Sequence, residues 1–165
     1  MSRPDAAKPP LPNVGEVLGR LLARVPEPEH PLFVAIAERL AAERYRAWAQ
    51  AAPAQRARLL ACSEREDEIA RRVESLHADA ESRQQRIRAQ VPEIEEINRK
   101  VFGDLPLDQQ FAIQAQGERV GAGFWRSLAG PAASEHARRT YLECAGLEEK
   151  NATALEALLR ASGAE

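Results

Sequence analysis

Two stretches of the chain, CSEREDEIARRVE at residues 62–74 and CAGLEEKNATALE at residues 144–156, follow the same frame. In each stretch a glutamate stands four positions after the cysteine, as Glu66 and Glu148, and a second acidic residue follows it. An alanine eight positions after the cysteine and a glutamate twelve positions after it complete the match. We interpret the two stretches as equivalent helices of a duplicated unit.

A second match extends this repeat to the helices that precede the two stretches. ERLAAERYRAWA begins at Glu38, and ERVGAGFWRSLA begins at Glu118. The offset from Glu38 to Glu118 is nearly the same as the offset from Glu66 to Glu148. Because two nearly equal offsets rarely arise from composition alone, the sequence predicts an internal repeat of a helical pair. The alternative is a chance match, since alanine-rich helices align easily with one another.

Composition predicts an all-α protein of one domain. The 165 residues contain only 5% aromatic residues, and Ala, Leu, Glu and Arg, which favour helices, dominate. A net charge of −2 and a pI near 6.0 give no electrostatic reason to expect nucleic acid as a partner. The sequence has no long apolar run or signal-peptide core, which predicts a cytoplasmic protein without a membrane partner. A homodimer is left open, and no protein partner is identified.

Turn residues divide the chain into a tail and a helical domain. The proline-rich residues 1–13 are expected to be disordered, and residues 14–165 to form one bundle that starts with a short extra helix. Short connections between the first and second long helices, and between the third and fourth, predict antiparallel pairs. A long connection over residues 81–106 predicts a ferritin-like antiparallel four-helix bundle with a long crossover. The long helices, named A to D, are predicted at about residues 31–50, 54–80, 107–129 and 131–161.

Each long helix carries one glutamate within a stripe of mainly apolar residues. Spacings of three and four place these glutamates on the core side of their helices. Burying unpaired carboxylates is costly, so the set requires cations, shared protons or hydrogen bonds. The alternative is that some stripes are rotated, which would place the glutamate at a solvent-exposed edge. The four candidate site residues are Glu38, Glu66, Glu118 and Glu148.

This pattern resembles the ferritin-like superfamily, in particular the rubrerythrin and di-iron carboxylate type of four-helix bundle. That family builds its metal site from one glutamate on the first helix of each pair and a Glu-x-x-His motif on the second. The resemblance implies that Glu38 and Glu118 are the single glutamates. It also implies that Glu66 and Glu148 are the glutamates of the two motifs, and that all four are metal ligands.

The chain departs from the family at both histidine positions. Three residues after Glu66 stands Ile69, and three residues after Glu148 stands Asn151. Isoleucine cannot bind a metal, and asparagine offers only a neutral oxygen. Oxygen-only ligation suits Mg²⁺, Mn²⁺ or Ca²⁺ better than an imidazole-containing di-iron centre. The cofactor prediction is therefore either none or a divalent metal such as Mn, Fe or Mg, and no catalytic residue is identified.

Three functions remain open at this point. The first is a ferritin-like protein with a degenerate, oxygen-only carboxylate site that binds a divalent metal weakly or not at all. The second is a non-catalytic interaction or scaffold protein. The third is an active di-metal oxidase or peroxidase with altered ligands, so enzyme activity is left undecided.

The remaining conspicuous residues receive structural interpretations. Tyr45 and Trp125 are interpreted as core packing. Cys62 and Cys144 lie on apolar stripes and are interpreted as small buried thiols. The segment PEIEEINRKVFGDLP is expected to pack over the bundle as part of the crossover, with partner binding as the alternative.

Overall fold

The computed structural model describes residues 9–163, and all regular secondary structure in this range is helical, which confirms the all-α prediction. The predicted disordered tail falls mostly on residues 1–8, which lie outside the described residues. Short 3₁₀ turns occupy Glu27–Glu29, Pro53–Gln55 and Pro92–Glu96, and a π-helical turn occupies Asn98–Phe102. The α-helices are α1 (Val14–Leu22), α2 (His30–Ala51), α3 (Arg56–Glu74), α4 (Ala80–Gln90), α5 (Leu107–Ala129) and α6 (Glu135–Ser162).

Side-chain contacts define how the four long helices pack. α2 lies along α3, α5 lies along α6, and α3 also contacts α6. The Ser63 hydroxyl on α3 donates to the Ala42 carbonyl on α2 at 3.0 Å, close to the middle of both helices. The Tyr45 hydroxyl on α2 donates a hydrogen bond to Glu118 Oε1 on α5 at 2.5 Å. α2, α3, α5 and α6 therefore contact one another and share an interior.

The two helical pairs carry equivalent ion pairs on their outer faces. Arg39 and Arg119 are as far apart in the sequence as Glu38 and Glu118, and so are Arg46 and Arg126. The acidic partners of these arginines are spaced like Glu66 and Glu148. The duplicated pattern thus extends from sequence to side-chain contacts. Arg39–Glu74 and Arg46–Asp67 join α2 to α3, and Arg119–Glu156 and Arg126–Glu149 join α5 to α6.

Two predicted helix boundaries are wrong. Helix B was predicted to run to about residue 80, but α3 ends at Glu74 and α4 begins at Ala80. The Ser75 hydroxyl donates to the Arg72 carbonyl at 2.7 Å, a local side-chain bond that competes with helix continuation. Helix D was predicted from residue 131, but α6 begins at Glu135. Ser134 caps that helix by accepting from the Ala137 amide at 3.0 Å.

The connection between α3 and α5 packs against the long helices, in agreement with its structural interpretation. α4 contacts α2, and the segment buries apolar side chains in the same cluster as α2. Gly103, with a φ of 45°, turns the chain towards α5 in a conformation that disfavours other residues. The buried residues of the connection include Ile87, Val91, Ile94, Ile97, Val101 and Phe102.

The apolar core forms two clusters, and each of the four long helices contributes to both. On α3, for example, Cys62 belongs to the first cluster and Ile69 to the second, and Glu66 lies between them. The glutamates of α5 and α6 likewise separate residues of one cluster from residues of the other, so these three glutamates occupy the level at which the two clusters meet. Among residues 9–163, no helix combines the length and apolar character needed to cross a membrane.

Candidate functional site

The four glutamates predicted as site residues are all buried. Glu38 is 7% exposed, Glu66 0%, Glu118 1% and Glu148 2%. This burial excludes the alternative that the stripes are rotated towards solvent. Each carboxyl group must therefore be protonated, hydrogen-bonded or paired with a cation.

The fold brings three of these carboxyl groups together. One oxygen each of Glu38, Glu66 and Glu148 lies within 4.8 Å of the other two, and we call this set the three-glutamate cluster. Glu66 Oε2 is buried and accepts no hydrogen bond from the described residues. The cluster thus combines three convergent carboxyl oxygens, and Glu66 Oε2 gains a hydrogen bond only when a neighbouring carboxyl group holds a proton to donate.

Glu118, the fourth predicted site residue, is not one of these three, although its carboxyl group lies close enough to Glu66 and Glu148 to raise the pKa of both. Its Oε1 accepts hydrogen bonds from the Tyr45 hydroxyl at 2.5 Å and from Gln114 Nε2 at 2.7 Å. Gln114 Oε1 in turn accepts from Arg44 Nη2 at 2.6 Å. A buried hydrogen-bond chain from Arg44 therefore fixes the orientation of Glu118, while its Oε2 has no partner among the described residues.

Asn151, at one of the two positions where the resemblance calls for histidine, orients Glu66. Its Nδ2 donates to Glu66 Oε1 at 2.6 Å and to the Cys62 carbonyl at 3.3 Å. Its Oδ1 accepts from Arg65 Nη1 at 2.9 Å. Because the amide oxygen is already engaged, Asn151 positions a carboxylate instead of offering the neutral oxygen ligand that the sequence suggested.

Glu148 depends on Trp125 and on a glycine. Trp125 Nε1 donates to Glu148 Oε1 at 3.0 Å. A Cβ atom at Gly121 would lie 2.5 Å from the same oxygen, so this glycine leaves the space that the carboxyl group occupies. Ile69, at the other position where the resemblance calls for histidine, is fully buried in the second apolar cluster.

Burial governs the protonation of the cluster. Burial raises the pKa of Glu38 from 4.5 to about 7 and raises the pKa values of Glu66 and Glu148 well above their usual range. The neighbouring carboxylates add to the rise for Glu66 and Glu148. Burial lowers the pKa of Arg44 to about 10, so this guanidinium stays charged at neutral pH. The metal-free cluster therefore keeps protons at neutral pH, and a bound cation would displace them.

The sequence interpretation missed the hydrogen-bonding role of two aromatic residues. Tyr45 and Trp125 were expected only to pack, whereas each donates a hydrogen bond to a site glutamate. The available signal was their spacing, because each stands seven residues after Glu38 or Glu118 and so shares its helix face. Arg44 gave no such signal, because it lies off that stripe.

The arrangement is suited to binding a hard cation through oxygen atoms. In comparisons with known proteins, the chain matches no family model, no curated protein and no solved structure. The function is therefore inferred from the chemistry of the site.

Proposed function

We propose that this protein is a ferritin-like antiparallel four-helix bundle whose three-glutamate cluster binds one divalent cation, of which Mn²⁺, Fe²⁺ and Mg²⁺ are the candidates. The observation that carries the proposal is the convergence of three buried carboxyl groups within 4.8 Å, with Glu66 Oε2 unpartnered. A cation bound there would replace the protons that burial otherwise retains.

The bundle architecture is supported by the helix contacts and by the repeat. α2 with α3 and α5 with α6 form two pairs, and the connection between the pairs spans residues 75–106. The equivalent ion pairs on both outer faces fit two copies of one helical hairpin. This combination is what the ferritin-like resemblance implies for the fold.

One ion is better supported than two. Glu118 is not one of the three glutamates of the cluster, and its Oε1 already accepts two hydrogen bonds. Neither Ile69 nor the engaged amide of Asn151 supplies a further ligand. A di-metal oxidase or peroxidase therefore has weaker support than a single oxygen-ligated cation.

The scaffold alternative also has weaker support. It calls for a contiguous exposed apolar surface. Among residues 9–163 the large apolar side chains that are exposed are Leu11, Val120 and Leu142, which lie on three different segments. These side chains do not identify a docking surface.

Metal analysis tests the proposal directly. Protein purified without chelator, then stripped and reloaded, is expected to hold about one equivalent of Mn²⁺ by elemental analysis and calorimetric titration. Affinity should rise between pH 6 and pH 8, because Glu38, whose pKa is about 7, loses its proton over that range. Glu66→Gln and Glu148→Gln should each weaken Mn²⁺ binding by at least about tenfold.

Glu64→Gln provides the matched control, because Glu64 lies on the same helix as Glu66 but is exposed. Mn²⁺ affinity should be unchanged in this variant. Less than about 0.2 equivalents of Mn²⁺, Fe²⁺ or Mg²⁺ after reloading would contradict the proposal. Two equivalents of metal would favour the di-metal alternative instead.

A further inference from the structure

Arg83, in the first turn of α4, joins three segments of the chain. Its side chain is 15% exposed, and its Nε donates to Glu29 Oε2 at 2.9 Å. Its Nη2 donates to the Pro28 carbonyl at 2.9 Å, and its Nη1 lies 3.0 Å from His77 Nδ1. One guanidinium group therefore links α4 to the turn before α2 and to the turn between α3 and α4, and we call this set of contacts the arginine corner.

The bond between Arg83 and His77 fixes the protonation of the imidazole. A guanidinium group has donors and no acceptor, so His77 Nδ1 has to be the acceptor of this hydrogen bond. His77 is therefore neutral in this arrangement, and its one proton is on Nε2. His77 Nε2 is buried and has no hydrogen-bond partner among the described residues.

A protonated His77 does not fit the same arrangement. The imidazolium carries a proton on both nitrogens and has no acceptor, so Arg83 Nη1 would lose its partner. Two cationic groups would then face each other at the present distance of 3.0 Å. Protonation of His77 therefore breaks one of the bonds that hold the arginine corner.

The charges around His77 act in both directions. Burial and the Arg83 guanidinium lower the pKa of His77 from its ordinary value of 6.5, whereas Asp79 and Glu29 oppose this shift. A protonated His77 would consequently be attracted to Glu29 and would compete with Arg83 for it. Titratable side chains that line the same cavity as His77 include Glu27, His136 and Tyr141.

We propose that protonation of His77 releases the start of α4 from the turn before α2, so that the arginine corner is a pH-sensitive switch. Because the pKa of His77 is lowered in the folded protein, the stability of this corner is fully present above pH 6.5 and is lost as the pH falls. Ile87, one turn beyond Arg83, is 2% exposed and keeps the rest of α4 packed. The release is therefore local to the first turn of α4 and leaves the long helices in place.

This inference is independent of the proposed metal site, because it involves none of the four buried glutamates. The two sites also respond to pH with opposite signs. Burial raises the pKa of Glu38, so its contribution to stability grows as the pH falls, whereas the contribution of His77 shrinks. Measurements on the metal-free protein with chelator present therefore test the arginine corner alone.

The test is amide hydrogen exchange of the metal-free full chain, followed by NMR at about pH 5 and about pH 7.5. After correction for the intrinsic exchange rate, protection in the first turn of α4 should fall at least about tenfold at the lower pH, relative to protection in α5. Equal protection of α4 at both pH values would overturn the proposal.

Two histidine variants assign the effect. His77→Gln keeps an acceptor for Arg83 but does not titrate, so α4 should stay protected at both pH values. His136→Gln is the matched control, because His136 is exposed and lines the same cavity; this variant should lose protection as the wild type does. Loss of protection in His77→Gln equal to that of the wild type would overturn the proposal.

A third variant tests the contact itself. Arg83→Gln removes the positive charge beside His77 and should raise the pKa of His77 in an NMR titration of the imidazole protons. Because the imidazole signal reports on His77 directly, this result does not depend on how stable the variant is while it remains folded. An unchanged pKa of His77 would show that the guanidinium does not contact the imidazole and would also overturn the proposal.

Discussion

Residues 69 and 151 stand at equivalent positions of α3 and α6, yet their surroundings differ in chemistry. Asn151 joins Glu66, Arg65 and the Cys62 carbonyl in a buried hydrogen-bond network. Ile69 is fully buried among apolar side chains, and the carboxyl group of Glu148 accepts its hydrogen bond from Trp125. The difference teaches that buried glutamates at equivalent positions can be held by different donors, one by an amide and one by an indole N–H.

The largest expected effect comes from replacing Ile69 by asparagine, the residue that stands at the equivalent position 151. Ile69→Asn should lower the free energy of unfolding by about 4 kcal/mol, because it removes apolar packing and buries an amide without partners. Denaturant unfolding measures the loss. Ile69→Val is the control and should cost only about 1 kcal/mol. A loss of similar size in both variants would mean that polar groups are tolerated on this side.

The second expected effect is a dependence of stability on pH, which comes from the buried carboxyl group of Glu38. The pKa of Glu38 is about 7 in the folded protein against a usual 4.5, so the folded state binds more protons over this interval. The stability associated with Glu38 is fully present below pH 4.5 and is lost as the pH rises through about 7. Glu38 alone should therefore contribute a loss on the order of 3 kcal/mol between pH 4.5 and pH 8, and Glu66 and Glu148, whose pKa values are also raised, add to it.

Urea unfolding at several pH values, with chelator present, measures this slope. Glu38→Gln should make it shallower, because glutamine does not titrate while Glu66 and Glu148 remain. His77 gives an opposing slope, because burial lowers its pKa, but the difference between wild type and variant removes its contribution. Equal slopes in the two proteins would contradict the assignment to Glu38.

The third expected effect comes from removing the amide group of Asn151. Asn151→Leu should cost about 2 kcal/mol, because Arg65 loses an acceptor and Glu66 a donor. If the three-glutamate cluster binds Mn²⁺, this variant should also weaken that binding by about tenfold, since Glu66 is no longer oriented. Unfolding and calorimetric titration give the two values. Unchanged Mn²⁺ affinity would show that the amide supports the fold alone.

The smallest effect compares the equivalent ion pairs outside the core. Arg39 bonds both Asp67 and Glu74, at 2.9 and 2.7 Å, whereas Arg119 bonds Glu156 alone. Because both arginines are more than a third exposed, solvent weakens these pairs. Arg39→Gln should cost about 1 kcal/mol and Arg119→Gln about 0.3 kcal/mol in thermal unfolding. A larger loss of stability in Arg119→Gln than in Arg39→Gln would contradict this prediction.

The helical periodicity of the sequence predicts the fold class and the buried side of each helix. Helix C was predicted at residues 107–129, the bounds of α5, because its apolar stripe is continuous and Gly130 follows it. The burial of all four glutamates was likewise predicted, since spacing alone places them on the core side. The end of α3 was not predicted, because Leu76 continues the apolar stripe while local side-chain bonds end the helix.

The convergence within the site depends on information that one sequence does not contain. One oxygen each of Glu38, Glu66 and Glu148 lies within 4.8 Å of the others, whereas Glu118 Oε1 is bonded by Tyr45 and Gln114, and this difference depends on how far each helix slides along its neighbour. The contact of Tyr45 with Glu118 has the same origin, because it joins residues far apart in the chain and on different helices. The engagement of the Asn151 amide oxygen by Arg65 also follows from tertiary packing.

Gly121 has a consequence for how this protein can change over evolutionary time. The atom nearest to an added methyl group would be the flexible end of Glu148, so Gly121→Ala would leave the helices in place and displace one carboxyl group. A change at this codon would therefore impair the cluster and deprive the Trp125 indole of its acceptor while leaving the helix packing in place. In a set of diverging descendants, position 121 separates lineages that retain the cluster from lineages that keep only its architecture.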